Sequence, residues 1–283
     1  MSSFPDIFRF NLGQYVDQFV KWLMTDYGEV FDAIASGILS LLVSTEKILL
    51  WLPWWLVLLG ILLLGWKAIN IKAGIVFSLS LFLVGTFGFW DLMMMTLAIV
   101  LASVIISLVI GIPLGVLTAY SDRFNAVMRP ILDAMQTMPS FVYLIPALML
   151  FGMGKVPAVF ATIIYATPPV IRLTDLGIRK VPKEMVEASI SFGSSNWQTL
   201  LKVQLPQALP TIMTGINQTT MMALSMVVVA SMIGARGLGL EVLRAIQRID
   251  IAKGFEAGIS IVFLAIIIDR VSQGIAERFK YPE

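Results

Sequence analysis

The sequence predicts an all-α integral membrane protein with about seven transmembrane helices, and three observations predict it. Hydrophobic residues make up 58% of the 283-residue chain and charged residues 13%, with a mean hydropathy of +0.88. That balance lies outside what a soluble domain keeps in solution. Apolar runs near the length a helix needs to cross a bilayer, about 17–25 residues, recur along the chain. The basic residues sit in the connections between those runs.

Taken in order, the elements begin with residues 1–48. Here Val16, Phe19, Val20 and Leu23, then Phe31, Ile34, Ile38, Leu41 and Leu42, recur at helical spacing with Asp17, Lys21 and Asp32 interleaved. This pattern suits amphipathic helices lying on the outer membrane surface. No charged start, apolar core and small-residue cleavage site follow one another, so no removable signal peptide is expected. Clear spans are expected at Leu49–Trp66, Ala73–Trp90 and Leu92–Ala119. Trp51, Trp54, Trp55 and Trp66 fall near the ends of the first, where indole rings anchor in the headgroup layer. Gly111 and Gly115 form a small-xxx-small pair for close helix packing, with Pro113 adding a kink. Pro139–Gly152 and Pro157–Ile171 are short and Pro-rich, and read as broken or tilted spans. Ala208–Ile233 and Ala257–Ile268 complete the set, the last needing a turn at either side to cross. Residues 272–283 are expected as a tail on the inner side.

Composition also excludes several classes. A net charge of +2 with dispersed basic residues indicates no nucleic acid partner. With neither Cys nor His, the chain has no zinc site, disulfide, thiol nucleophile or imidazole acid/base chemistry. No paired carboxylates occur in the spans, so no catalytic residues and no metal site are expected, and the chain is not expected to be an enzyme. Gly152-Met153-Gly154-Lys155 is no P-loop, because Val156 follows and an earlier Gly is missing. Likewise "GARGLG" at Gly234–Gly239 has the wrong spacing for a dinucleotide fingerprint and reads as an outer hairpin. Placing the polar stretch before the penultimate span in the cytoplasm puts twelve of the 20 Lys and Arg residues inside. The expected orientation is N-terminus out and C-terminus in.

That polar stretch is "EASISFGSSNWQTLLKVQLP", Glu187 to Pro206. Pro182 suits a first helical position, Met185, Val186, Ile190 and Phe192 supply apolar side chains, and Gly193 is a natural left-handed stop. Ser195 with Gln198 three residues on makes a capping box for a second helix, with Trp197, Leu200, Leu201 and Leu205 as its apolar stripe and Pro206 closing it. Two short helices between two spans make a protruding knob, or a plain surface-lying loop. On residues alone both remain open.

Glu187-Ala188-Ser189, then Gly193, then Val203-Gln204-Leu205-Pro206 resembles the "EAA" loop of permease subunits in bacterial binding-protein-dependent ABC importers. Ser189 stands where the family usually has Ala, and Val203 where it often has Ile. The five spans from Leu92 to Ile268 resemble the five-helix type I importer core. "MQTMPSFVYLIPA" (Met135–Ala147), "ATPPVIRLTDLGIRKVP" (Ala166–Pro182) and "INQTTMMALSMVVVASMIGARGLG" (Ile216–Gly239) resemble the glycine betaine/proline branch. The resemblance implies a core over residues 91–271 with the coupling loop at 182–206, while 49–90 supply two additional spans. It also implies that Glu187, Ala188, Ser189, Gly193, Ser194 and Ser195 dock on a cytoplasmic ABC ATPase, present in two copies. A second copy of the permease, an extracytoplasmic substrate-binding protein and the bacterial inner membrane complete the implied setting. No cofactor is expected in this chain; ATP and Mg belong to the partner ATPase.

Asn217, Gln218, Thr219, Thr220 and Ser225 lie within a span, either as interhelical hydrogen bonds or along a path. Phe141 and Tyr143 gate or pack. The candidate substrate path comprises Phe141, Tyr143, Asn217, Gln218, Thr220 and Met222. Most spans are free of Asp, Glu, Lys and Arg, which suits a net-neutral zwitterion: glycine betaine, proline or carnitine, and choline less well. A passive channel needs no knob, and an ion-coupled transporter needs ionisable groups at mid-membrane and inverted repeats.

Overall fold

The computed structural model describes residues 12–277, and its regular elements are all helical. In chain order they are α1 (Leu12–Asp26), α2 (Gly28–Trp51), α3 (Trp54–Ala68), α4 (Ile71–Thr86), α5 (Trp90–Tyr120), α6 (Asp122–Thr137), α7 (Leu144–Phe151), α8 (Lys155–Arg179), α9 (Lys183–Ser191), α10 (Asn196–Thr199), α11 (Leu205–Ala230), α12 (Leu238–Arg248) and α13 (Ile251–Glu277). A 3-10 turn, Ser140–Tyr143, precedes α7, and a π-helical turn, Leu200–Gln204, joins α10 to α11. Residues 278–283 of the expected tail, and the basic residues Arg9, Arg278 and Lys280, lie outside the described residues.

The seven expected spans all fall on helical segments, with altered ends, but Leu49–Trp66 is divided between α2 and α3 and Pro139–Gly152 between a 3-10 turn and α7. Among the described residues five helical stretches are long and apolar enough to cross a membrane: α2, α5, α8, Asn196–Ile233 and α13. A sixth arises if α6 and Ser140–Phe151, bent by 107°, count as one. The expected first span does not start at Leu49, because α2 continues to Trp51. Pro53 holds Leu52 in extended backbone (ψ 125°), and α3 begins at Trp54. Helices α3 and α4 have 15 and 16 residues, about 22–24 Å at 1.5 Å per residue, shorter than the roughly 30 Å hydrocarbon core. They pack closely as a hairpin, with an added Cβ on Gly65 falling 2.7 Å from Gly74 Cα. The Asn70 side chain caps the turn by accepting Ala73 N–H at 2.8 Å.

The centre is α8, packed between α5 and α11. Its neighbours approach through residues without side-chain bulk, as the Gly111/Gly115 spacing predicts. A Cβ at Gly111 would stand 2.4 Å from Val170 Cγ1, and one at Gly115 2.5 Å from Thr174 Cβ and 2.8 Å from the Ile171 carbonyl oxygen. On the other side Gly215 of α11 faces Leu173 Cβ at 3.0 Å. Pro113 lies inside an unbroken α5, and Pro168 and Pro169 inside α8.

The bundle has two distinct ends. At one, the α7–α8 turn bonds the 3-10 turn Ser231–Ile233 that follows α11 (Gly154 N–H to Ile233 carbonyl, 3.0 Å), and Lys155 pairs with Glu46 of α2 at 2.5 Å. Phe31 packs edge-on against Phe151, centroids 6.1 Å apart. Phe31 and Glu46 lie about 22 Å apart along α2, yet both touch residues of that single turn. Helix α2 therefore lies across this end instead of running through the bundle. At the other end, Arg179 binds Asp122 at 2.8 Å, Asp175 at 2.7 Å and the Thr118 carbonyl at 2.8 Å, tying α6 and the end of α5 to α8. Asn217 of α11 meets Asp269 of α13 toward this end, and the last turn of α13 lies beside Ala68. The described chain thus starts at one end and finishes at the other.

The region read as an outer hairpin is partly helical. Gly234 (φ 92°) and Gly237 (φ 158°) turn the chain, Leu238 N–H donates to Thr96 Oγ at 2.8 Å, and α12 then packs on α13.

Candidate coupling knob and substrate path

Glu187, Ala188 and Ser189 lie on α9, a nine-residue helix with no buried residue. Its end is a Schellman arrangement: Gly193 takes φ 84°, its N–H bonds the Ile190 carbonyl at 2.8 Å, and Ser194 N–H reaches the Ser189 carbonyl at 3.2 Å. An added Cβ at Gly193 would meet nothing within 4 Å, so glycine is needed there for backbone freedom alone. Ser195 then caps α10 reciprocally. Its Oγ accepts Gln198 N–H at 3.3 Å, and Gln198 Oε1 accepts Ser195 N–H at 2.9 Å. Ser189 and Thr199 hydroxyls, 3.1 Å apart, lock the two helices together. All six candidate coupling residues therefore lie on α9 and the hydrogen-bonded turn that joins it to α10.

The knob presents Phe192 at 92% exposure, with Trp197, Ile190, Leu201 and Met185 also exposed. The expected second apolar stripe divides: Leu200 is buried, while Trp197 and Leu201 face outward. Pro206 does not close the second helix. The chain passes through the π-turn directly into α11, with Pro206 in its first turn. Proline is tolerated there because its missing N–H falls where the wider π pattern has already interrupted the ladder. Gln204, at the end of the π-turn, accepts a hydrogen bond from the Tyr120 hydroxyl at the end of α5.

The candidate path residues separate into different environments. Phe141 is exposed, whereas Tyr143 is 4% exposed, donates its hydroxyl to the Met135 carbonyl and packs edge-on against Tyr165 at 6.1 Å. Tyr143 is a packing residue in this conformation. On α11, Thr214, Gln218 and Ser225 share one exposed stripe with Met221 and Met222 half-buried beside it. Thr219 is buried against the core. Thr220 turns its hydroxyl to the Ile216 carbonyl at 2.8 Å. Asn217 faces α13, donating to Asp269 Oδ1 at 3.0 Å, which Gln273 also binds at 2.8 Å.

Asp269 is the feature the sequence reading missed. The expected last span stopped at Ile268, but α13 runs to Glu277 and carries both Glu256 and Asp269, so the last helix is not free of carboxylates. The i,i+4 pair Asp269 and Gln273 was the available signal. Among the described residues no group of three or more His, Cys, Asp or Glu is placed to hold a metal.

Comparison with known proteins places this geometry. Residues 111–281 match the family described as the binding-protein-dependent transport system inner membrane component. The chain is 47% identical over 264 residues to the glycine betaine/proline betaine transport system permease protein ProW of Escherichia coli, covering 93% of this chain and 75% of ProW. It is 46% identical over 281 residues to the glycine betaine/carnitine transport permease protein GbuB of Listeria monocytogenes, covering 98% and 99%. To the glycine betaine transport system permease protein OpuAB of Bacillus subtilis it is 44% identical over 272 residues, covering 96% of each. In fold it is similar to the inward-facing MetNI methionine ABC transporter, with TM-score 0.61, 21% identity, and coverage of 66% of this chain and 93% of that one. A helical chain with a knob ahead of its penultimate apolar helix, matched over residues 111–281, belongs to the inner membrane components of binding-protein-dependent transport systems.

Proposed function

We propose that this chain is the permease subunit of an ATP-driven importer of glycine betaine or a related net-neutral quaternary-ammonium solute. The observation that carries the substrate is the identity of 44–47% over nearly the whole chain to permeases named for glycine betaine. The exposed stripe of α11 supports it: Thr214, Gln218 and Ser225 with Met222 offer neutral hydrogen-bonding groups and no formal charge. A zwitterion needs such partners and feels no net force from the membrane potential. Phe141, exposed beside α7, supplies a ring for cation–π contact.

The knob supports a docked ATPase, and the remaining assignments extend the same reading. A separate ATPase, handling ATP and Mg, docks on the exposed Phe192, Ile190 and Trp197 around Glu187–Ser195. Two permease copies, each with one ATPase, enclose the path, and a binding protein delivers the solute from the side of α2. The N-terminus is outside and the C-terminus inside, which agrees with the opposite placement of α2 and the end of α13. A cysteine introduced at Ser194 tests this directly, because the chain has no other. Labelling by an impermeant reagent from the inner face only is expected, and labelling from the outer face overturns the orientation. The function itself is tested by labelled betaine uptake in sealed vesicles holding permease, ATPase and binding protein. ATP-dependent accumulation is expected. Accumulation on an ion gradient without ATP would establish the ion-coupled alternative, and equilibration alone the channel.

A further inference from the structure

A cleft of about 500 Å³ opens at the α2 end of the bundle, away from both the knob and the α11 stripe. Four helix ends meet there: the last turns of α2 and α4 and the first turns of α3 and α5. Its volume falls within the roughly 300–1,000 Å³ of small-molecule sites. Trp54, Phe82 and Trp90 supply aromatic surface, aliphatic side chains of α2 and α3 fill the floor, and Thr86 and Asp91 are the polar side chains.

Asp91 decides the chemistry. It is exposed in the cleft and has no hydrogen-bond or ion-pair partner among the described residues, and no Lys or Arg lines the cleft. Two helices end and two begin at this point, so their dipole ends oppose one another. The carboxylate therefore sets the sign of the local field. An anion is disfavoured, and a lone carboxylate is too few oxygen ligands for a divalent metal. Aromatic faces beside one carboxylate match a large, weakly hydrated cation.

We propose that this cleft binds an organic ammonium group, quaternary or primary, against the rings of Trp54 and Trp90 and the carboxylate of Asp91. The group comes either from a lipid headgroup, since indole-rich helix ends lie at headgroup level, or from a free solute. The site stands on its own geometry and does not depend on the transport assignment.

The test is native mass spectrometry of the purified full-length permease with added phosphatidylethanolamine, phosphatidylcholine or phosphatidylglycerol, and separately with tetramethylammonium chloride. Retention of an ammonium species about fivefold above phosphatidylglycerol is expected, reduced about fivefold in Asp91→Asn and in Trp54→Ala. The isosteric Asp91→Asn keeps the test valid should Trp54→Ala fail to fold. Preference for the two ammonium lipids, with tetramethylammonium displacing them, identifies a headgroup site; tetramethylammonium binding that lipids leave unchanged identifies a free-solute site. Equal retention of phosphatidylglycerol, or wild-type retention in Asp91→Asn, overturns the proposal.

Discussion

Replacing Gly115 with alanine tests whether glycine is what lets α5 lie against α8. The added Cβ would sit 2.5 Å from Thr174 Cβ, 2.9 Å from Thr174 Cγ2 and 2.8 Å from the Ile171 carbonyl oxygen. Ordinary carbon contacts lie at about 3.5–4.0 Å, and a backbone carbonyl cannot rotate aside, so the helices must part by about 1 Å. Overpacking of this kind costs about 1–3 kcal/mol. Against it stands the helix-propensity gain of Gly→Ala, about 0.8–1 kcal/mol. Gly258 on α13 supplies the control, because a Cβ there meets nothing within 4 Å and only the gain remains. The two variants should therefore differ in unfolding free energy by about 1–3 kcal/mol, Gly258→Ala being the more stable. Reversible unfolding of the purified permease in mixed detergent, followed by helical signal, measures the difference. Thr174→Gly removes two of the three short contacts and should show a coupling of about 0.5–3 kcal/mol with Gly115→Ala in a double-mutant cycle. Equal stability of Gly115→Ala and Gly258→Ala would refute the close-packing account.

Gly193→Val places a β-branched residue at φ 84°, where even an unbranched side chain costs about 1–2 kcal/mol; substrate-stimulated ATP hydrolysis should fall with uptake while membrane insertion stays normal. Unchanged coupling would remove the knob's docking role. Lys155→Met leaves Glu46, with a side chain 14% exposed, without its partner. Because the pair is only partly buried, an unfolding loss of about 1–2 kcal/mol is expected, and a Glu46→Gln background should cancel most of it. Asn217→Leu should weaken the α11–α13 contact by about 1–3 kcal/mol without changing which solute is taken up, whereas Gln218→Leu should raise the KM for betaine uptake with little effect on unfolding. The opposite pattern would mean that Asn217, not Gln218, faces the path.

Local chemistry was readable from the residues, and long-range placement was not. The Gly193 stop and the Ser195–Gln198 box depend on neighbours within a few positions, and both appear as the spacing predicts. Gly111 and Gly115 announced close approach but not its partner, Val170 and Thr174 of α8. Phe141 and Tyr143 are two residues apart and looked equivalent. Only the tertiary arrangement, which brings the Met135 carbonyl and Tyr165 around Tyr143, buries one and leaves the other open. Apolar content alone made Leu49–Trp66 look continuous, whereas the backbone restriction at Pro53 divides it. Pro206 carried the opposite error, because a proline that looks like a stop is also tolerated in a helix's first turn.

The π-turn at Leu200–Gln204 has a consequence for how the knob is aimed. Its hydrogen bonds close rings one residue longer than those of the flanking helices, so one residue is taken up there without adding a loop. The sequence between Trp197 and the face that Thr214, Gln218 and Ser225 present further along the same rod is thereby one residue longer than uniform α-winding needs for the same relative direction. Removing one residue from that turn would restore uniform winding yet leave the knob's bearing about the rod axis nearly unchanged, because five residues of π-helix sweep about the same angle as four of α-helix. The segment is like a splined joint between two shafts: it takes up an extra length of chain while keeping the angle at which one end is clocked to the other.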